Sequence, residues 1–253
     1  MTLLLRLLPG LLLLGLWQYA SGRWIRAIYV SRPTDVAARL WEMFATGEIQ
    51  PHLWVTLQEL VLGYVLGVAA GIACGYGLGR APRAAAVLEP YLMAFYGVPK
   101  IALAPLFIIW FGIAMWSKVA LAGTMVFFLV FYNVYAGVRA VDRDTVDLAR
   151  VMGATERQLT RHVFLPAAAP AVLLGMRMAV PYSVIGVIAG EFTSATRGLG
   201  LFINNASATY DPAGVFAGIA LLMVFVLVAG SGAGLLERRL LRWRAPLDAN
   251  APP

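Results

Sequence analysis

The chain has 253 residues, of which 60% are hydrophobic and 13% charged, and its mean hydropathy is +0.76. Soluble domains carry about 25% charged residues, so composition argues against a water-soluble fold. The net charge of +7 is spread over the ends of apolar segments rather than gathered in one patch, which points to membrane orientation and away from nucleic acid. A single cysteine, Cys74, excludes an intrachain disulfide and a cysteine metal cluster. His52 and His162 lie too far apart in sequence to give a metal-ligand spacing.

The first apolar stretch, about Leu3 to Tyr19, carries Arg6 near its start and is followed by Ala20, Ser21 and Gly22. It fits a retained first span or a cleaved signal peptide, and a chain that inserts through several helices of its own favours the span. The outer segment, residues 21–52, holds a short amphipathic helix. Thr34 is placed to cap it, Val36, Leu40, Met43 and Phe44 share one face, Asp35, Arg39 and Glu42 the other, and it ends near Gly47. That helix either lies on the outer membrane surface or packs on neighbouring spans.

Apolar segments then follow at about Leu53–Gly79, Tyr91–Ile113, Val119–Val138, Ala167–Ala189 and Val215–Leu236. Each meets the roughly 20 residues a span needs, so the expected fold is an all-α polytopic membrane protein with six transmembrane helices. Twelve basic residues fall on one face: Arg6, Arg80, Arg83, Arg139, Arg143, Arg150, Arg157, Arg161, Arg238, Arg239, Arg242 and Arg244. Six fall on the other: Arg23, Arg26, Arg32, Arg39, Lys118 and Arg197. The positive-inside rule makes the first face cytoplasmic, with both termini there. Residues 237–253 then form a cytoplasmic tail.

The second span repeats glycine at every fourth position, Gly63, Gly67, Gly71, Gly75 and Gly79. In lipid, where burying apolar surface gives no net force, such a stripe drives close helix packing. No GxxxxGK[ST] spacing is present, so this chain is not expected to bind or hydrolyse ATP, and no acid/base constellation supports an enzyme. Three ionisable residues mark a candidate polar path: Lys100 between two prolines of the third span, Arg177 ahead of Pro181, and Glu191 at the outer end of the fifth. Arg177 and Glu191 also lie near enough to span ends to snorkel. Cations in such a path favour an anionic solute.

Residues 139–166 read as a helix–glycine–helix unit. Asp144 is placed to cap the first helix with Asp147 in its first turn, Gly153 supplies the break, and Thr155 with Gln158 forms a capping box for the second. Pro166 closes the unit. Two capped helices about a glycine present a rigid knob to a groove on a soluble partner.

These residues resemble the EAA loop of ABC importer permeases: EAA, three residues, Gly, nine residues, then I-x-L-P. Here the pattern stands as Asp147-Leu148-Ala149, Gly153, and Val163-Phe164-Leu165-Pro166. Asp147 keeps the carboxylate, and Leu148 is the one small residue lost. Gly97 to Ile113, Gly190-Glu191-Phe192, Gly198-Leu199-Gly200 and Glu237-Arg238-Arg239 are similar to the nitrate, sulfonate and taurine permeases of that family. The resemblance implies a homodimer in the bacterial inner membrane, in contact with membrane lipid. It also implies two separate ATPase subunits that hold ATP and magnesium, while this chain binds no cofactor, and an outer substrate-binding protein. The docking residues it implies are Asp147, Leu148, Ala149, Met152, Gly153, Ala154, Leu165 and Pro166. Importers of thiamine precursors belong to the same subfamily.

Overall fold

The structure is a computed structural model. It describes residues 2–242, with side chains from residue 8 onward. Arg244 and the rest of the expected tail beyond Arg242, and the side chain of Arg6, lie outside the described residues. Among the described residues the regular structure is helical: α1 (Thr2–Ala20), α2 (Pro33–Ala45), α3 (Gln50–Gly79), α4 (Pro82–Gly97), α5 (Ala104–Phe111), α6 (Met115–Arg139), α7 (Arg143–Val151), α8 (Glu156–Leu159), α9 (Leu165–Thr193), α10 (Leu199–Ala208) and α11 (Pro212–Leu240).

Helix α6 is the axis of the molecule, with α3 on one side and α9 on the other. The α3 glycines explain how close the first pair lies. A Cβ on Gly67 would stand 2.6 Å from the carbonyl oxygen of Gly123 and 2.8 Å from Val126 Cβ; on Gly75, 2.7 Å from the carbonyl oxygen of Phe131. Gly63, Gly71 and Gly79 face Ala122, Val130 and Val138 in the same way. A glycine row repeating every four residues on α3 thus meets the row Ala122, Val126, Val130, Val134 and Val138, repeating at the same interval on α6, so ridge and groove share one period. On the other side, Gly175, Gly186 and Gly190 of α9 leave room for Asn133, Ala122 and Lys118 of α6. Tyr64 of α3 completes the bundle by donating to the Met176 carbonyl of α9 at 2.9 Å.

Among the described residues, four helices are long and apolar enough to cross a membrane: α3, α6, α8 running on into α9, and α11. The expected third span, Tyr91–Ile113, is not one rod. Helices α4 and the Lys100–Phe111 segment pass the test together as a fifth candidate but meet at 85°. Pro99 bars Val98 from the helical region, and Val98 is extended at φ −66°, ψ 131°. The Lys100 ammonium, half-exposed, donates to the carbonyls of Phe95 (3.1 Å) and Tyr96, the last turn of α4, and lies over the Tyr96 and Phe128 rings. A cation there satisfies orphan carbonyls and the negative end of the helix dipole. The first expected span corresponds to α1, of which the apolar part with described side chains, Leu8–Ala20, is short of a full crossing.

Helix α2 starts at Pro33, two residues earlier than a Thr34 cap requires. Gln18 of α1 takes the capping role, accepting from the Thr34 amide at 3.3 Å and donating to its hydroxyl at 3.2 Å. Gly47, at φ +78°, turns the chain after it. Val36 and Met43 are buried with Leu199, Phe202, Ile203 and Ala217, so α2 packs on α10 and α11, although Phe44 stays exposed. Arg39 ties this corner together through Glu42, Glu48 and Asp211 at 3.1–3.3 Å.

Candidate functional site: the helix–glycine–helix loop and a buried polar cluster

At the arginine-rich end of the bundle, α7, Gly153 and α8 stand out from the helix ends. The cap of α7 is Asp142, two residues before the expected Asp144, because the chain leaves α6 and turns at Ala140 and Val141. Asp142 accepts from the Asp144 and Thr145 amides at 3.3 and 3.1 Å and from the Thr145 hydroxyl at 2.8 Å. The Thr145 hydroxyl above all, then the two amides, hold the Asp142 carboxyl below its ordinary range. Gly153 follows at φ +85°, with open space where a Cβ would sit. The capping box at Thr155 and Gln158 is formed in both directions.

The second half of the loop does not close at Pro166. Helix α8 passes through a π turn, Thr160–Phe164, straight into α9. Pro166 has no amide to donate to the His162 carbonyl, and the wider turn, in which the Leu165 amide reaches Thr160, absorbs that loss.

The loop is fixed from below and bare above. Val146, Leu159 and Phe164 are buried in the core shared by α3, α6 and α9. Arg80, at the end of α3, lies 4.0 Å over the Phe164 ring and pairs with Glu156, which Arg150 also reaches at 3.1 Å. On the free side Leu148, Val151 and Met152 are 63%, 86% and 80% exposed. Asp147 is exposed and lies 3.6 Å from Arg150, Leu165 is half-exposed, and Ala149 and Ala154 pack at the edge of the core.

The three candidate path residues have separate surroundings. Lys100 caps α4. Arg177 on α9 pairs with Glu237 of α11 at 3.3 Å and lines a groove of about 1020 Å³ with Pro181, Ser231, Arg238 and Arg242. Glu191 does not snorkel: it is 1% exposed at the opposite end of the bundle.

Around Glu191 sits a cluster that sequence reasoning missed. Glu191 accepts from the Thr56 hydroxyl of α3 at 2.7 Å and from the Gly200 amide at the start of α10. Thr56 in turn accepts from the Leu199 amide at 2.7 Å, and His52 Nδ1 lies 2.9–3.1 Å from the backbone of Gly198. Gly198, at φ +137°, has no room for a side chain beside the Glu191 carboxylate. Glu59 and Lys118, each 2% exposed, complete the cluster. Lys118, expected on an outer flank, is instead folded inward, donating to the carbonyls of Ile113 and Ala114 (3.1 Å). The available signal was Glu59 itself, a carboxylate inside the apolar run Leu53–Gly79.

The fold defines a multi-span, all-α membrane protein. The chain belongs to the family described as binding-protein-dependent transport system inner membrane component, whose pattern matches residues 63–242. It is similar to the putative aliphatic sulfonates transport permease protein SsuC of Bacillus subtilis, 34% identical over 94% of this chain and 86% of the relative. It is also 33% identical to the formylaminopyrimidine transport permease protein ThiX of Halalkalibacterium halodurans, covering 92% and 93% of the two chains. Among solved structures, a chain of the MetNI methionine ABC transporter, in an inward-facing conformation, shares the fold. Its TM-score is 0.65 at 19% identity, over 74% of this chain and 93% of that one.

Proposed function

We propose that this chain is the permease subunit of an ATP-driven importer. It pairs with a second copy, receives a small anionic solute of the sulfonate, taurine or nitrate kind from an outer binding protein, and passes it inward by alternating access. Both termini lie in the cytoplasm of a bacterial cell, and ATP and magnesium belong to two separate ATPase subunits. The observation that carries the reading is the loop: α7 and α8 are anchored by Val146, Leu159 and Phe164 yet expose Leu148, Val151 and Met152. Monomeric soluble surfaces rarely present such a cluster without a partner, and its position beyond the arginine-rich helix ends supports a location in water.

In this account Asp147, Leu148, Ala149, Met152, Gly153, Ala154, Leu165 and Pro166 form or support the ATPase-docking knob, and their work is mechanical. Closure of the paired ATPases pushes α7 and α8, and because α8 is continuous with α9 the push travels directly along a spanning helix. An anionic solute is favoured by the α9–α11 groove, where Arg177, Arg238 and Arg242 outnumber Glu237. Of the three expected path residues, Arg177 is the one that lines this groove, while Lys100 lies against the last turn of α4 and Glu191 in the buried cluster. The similarity to a formylaminopyrimidine permease supports a second cargo class, a small pyrimidine.

The test is solute uptake by the assembled importer carrying Gly153→Val. A β-branched residue at φ +85° is strained, so uptake should fall at least tenfold while the permease still inserts at normal abundance. Wild-type uptake by this variant would overturn the mechanical role of the loop.

A further inference from the structure

The buried cluster at the end opposite the loop holds three ionisable groups from three helices, Glu59 of α3, Lys118 of α6 and Glu191 of α9, and one backbone amide from α10. We propose that Glu59 is a positioning residue in its acid form, donating a hydrogen bond to the Glu191 carboxylate and clamping the α9–α10 turn onto α3 and α6.

Charge balance is the first argument. The cluster contains one cation and two carboxyls, and among the described residues no further positive group touches it. Two buried carboxylates beside a single ammonium leave one negative charge uncompensated in a low-dielectric interior. A single proton removes that charge and leaves the Lys118 ammonium balanced by one carboxylate.

Hydrogen-bond geometry says which carboxyl holds the proton. Glu191 lies against two donors, the Thr56 hydroxyl and the Gly200 amide, which suits an acceptor-only carboxylate at the positive end of α10. Glu59 has no such support: among the described residues no donor reaches its Oε2. The Lys118 ammonium is turned away to the Ile113 and Ala114 carbonyls. Glu59 and Glu191 are buried in the same cluster as Lys118, and a hydrogen bond between two carboxyls requires that one of them supply the proton. Glu59 is therefore the donor and Glu191 the shared acceptor.

The consequence is mechanical. Glu191 receives one hydrogen bond from α3 through Thr56, one from α10 through Gly200 and a third from Glu59, while Gly190 lets Lys118 of α6 pack against α9. These four helix ends move as one block. The reading stands apart from the docking role of the loop and from the identity of the solute.

The experiment uses the full-length permease in lipid nanodiscs, wild type and the variants Glu59→Gln and Glu191→Gln, followed by thermal unfolding and infrared spectroscopy. In Glu59→Gln the amide N–H replaces the acid O–H as donor, so the unfolding midpoint should stay at the wild-type value while the carbonyl-stretch band of a protonated carboxyl is lost. Glu191→Gln removes the acceptor and should lower the midpoint by several degrees. A midpoint that falls as far in Glu59→Gln as in Glu191→Gln, or a carboxyl band that Glu59→Gln leaves unchanged, overturns the proposal. If neither variant folds, the wild-type spectrum still decides: no protonated-carboxyl band at neutral pH overturns it, and its presence supports it.

Discussion

Gly67 and Gly77 lie on one helix and differ in what surrounds them. A Cβ on Gly67 would meet the Gly123 carbonyl and Val126 of α6, whereas a Cβ on Gly77 has open space. Gly67→Ala should therefore push α3 off α6 and cost about 1–3 kcal/mol through overpacking. Gly77→Ala should be neutral or slightly stabilising, since alanine is the better helix former. Unfolding of both variants in detergent checks this, and equal midpoints would contradict the packing described.

Asp142 gives a second prediction at this scale. Its folded carboxyl titrates below its ordinary range, so its contribution to α7 is present above that range and lost as pH falls through the lowered value. Amide exchange across α7 should accelerate on acidification in wild type and already be fast, with little pH response beyond intrinsic exchange, in Asp142→Ala. Slow exchange in the variant would show that the cap is not what holds α7.

Among the elements, the clearest difference from sequence expectation is the third span. The apolar run Tyr91–Ile113 is long enough to cross, and length alone reads as one helix; the local bar at Val98–Pro99 and the Lys100 cap on α4 turn it by 85°. The prolines were visible, but whether a proline kinks a helix or breaks it depends on what satisfies the freed carbonyls, which here is a side chain from the next residue in the chain. Pro99→Ala should lengthen the distance between spin labels at Ala86→Cys and Ile109→Cys as Val98 becomes free to be helical. An unchanged distance would mean that the Lys100 contacts alone maintain the bend.

The loop was more legible than the span. Its glycine break and its Thr155–Gln158 capping box depend on residues a few positions apart, so local sequence carries them. The Asp142 cap, the continuity of α8 with α9 and the Gln18 cap of α2 depend on where neighbouring helices end. The buried cluster was the least legible part, because Glu59, Lys118 and Glu191 come from segments as much as 132 residues apart and meet only when α3, α6 and α9 pack. Each looked alone like a flank residue, a snorkelling side chain or nothing.

For the whole molecule, the two ends are built for different duties. One carries exposed apolar side chains on a firmly anchored knob; the other carries buried charges and an α2–α10–α11 corner tied by Arg39. Large apolar side chains also remain exposed on α4, α5 and α11, among them Tyr91, Phe95, Ile109, Trp110 and Leu227, as expected of surfaces that meet lipid or a second copy. Helix α8 runs on into α9, so the knob and the buried cluster share one continuous helical segment.

The central claim is that the knob docks on an ATPase. Its most direct test is a disulfide or bifunctional crosslink from Arg150→Cys, the native Cys74 replaced by alanine, to ATPase subunits co-expressed with the permease in native membranes. The account predicts a crosslinked permease–ATPase band that changes in intensity when ATP is added, and no band from a cysteine placed at Asn204 on the opposite end. Absence of the Arg150→Cys product, with an equal or stronger product from Asn204→Cys, would contradict it.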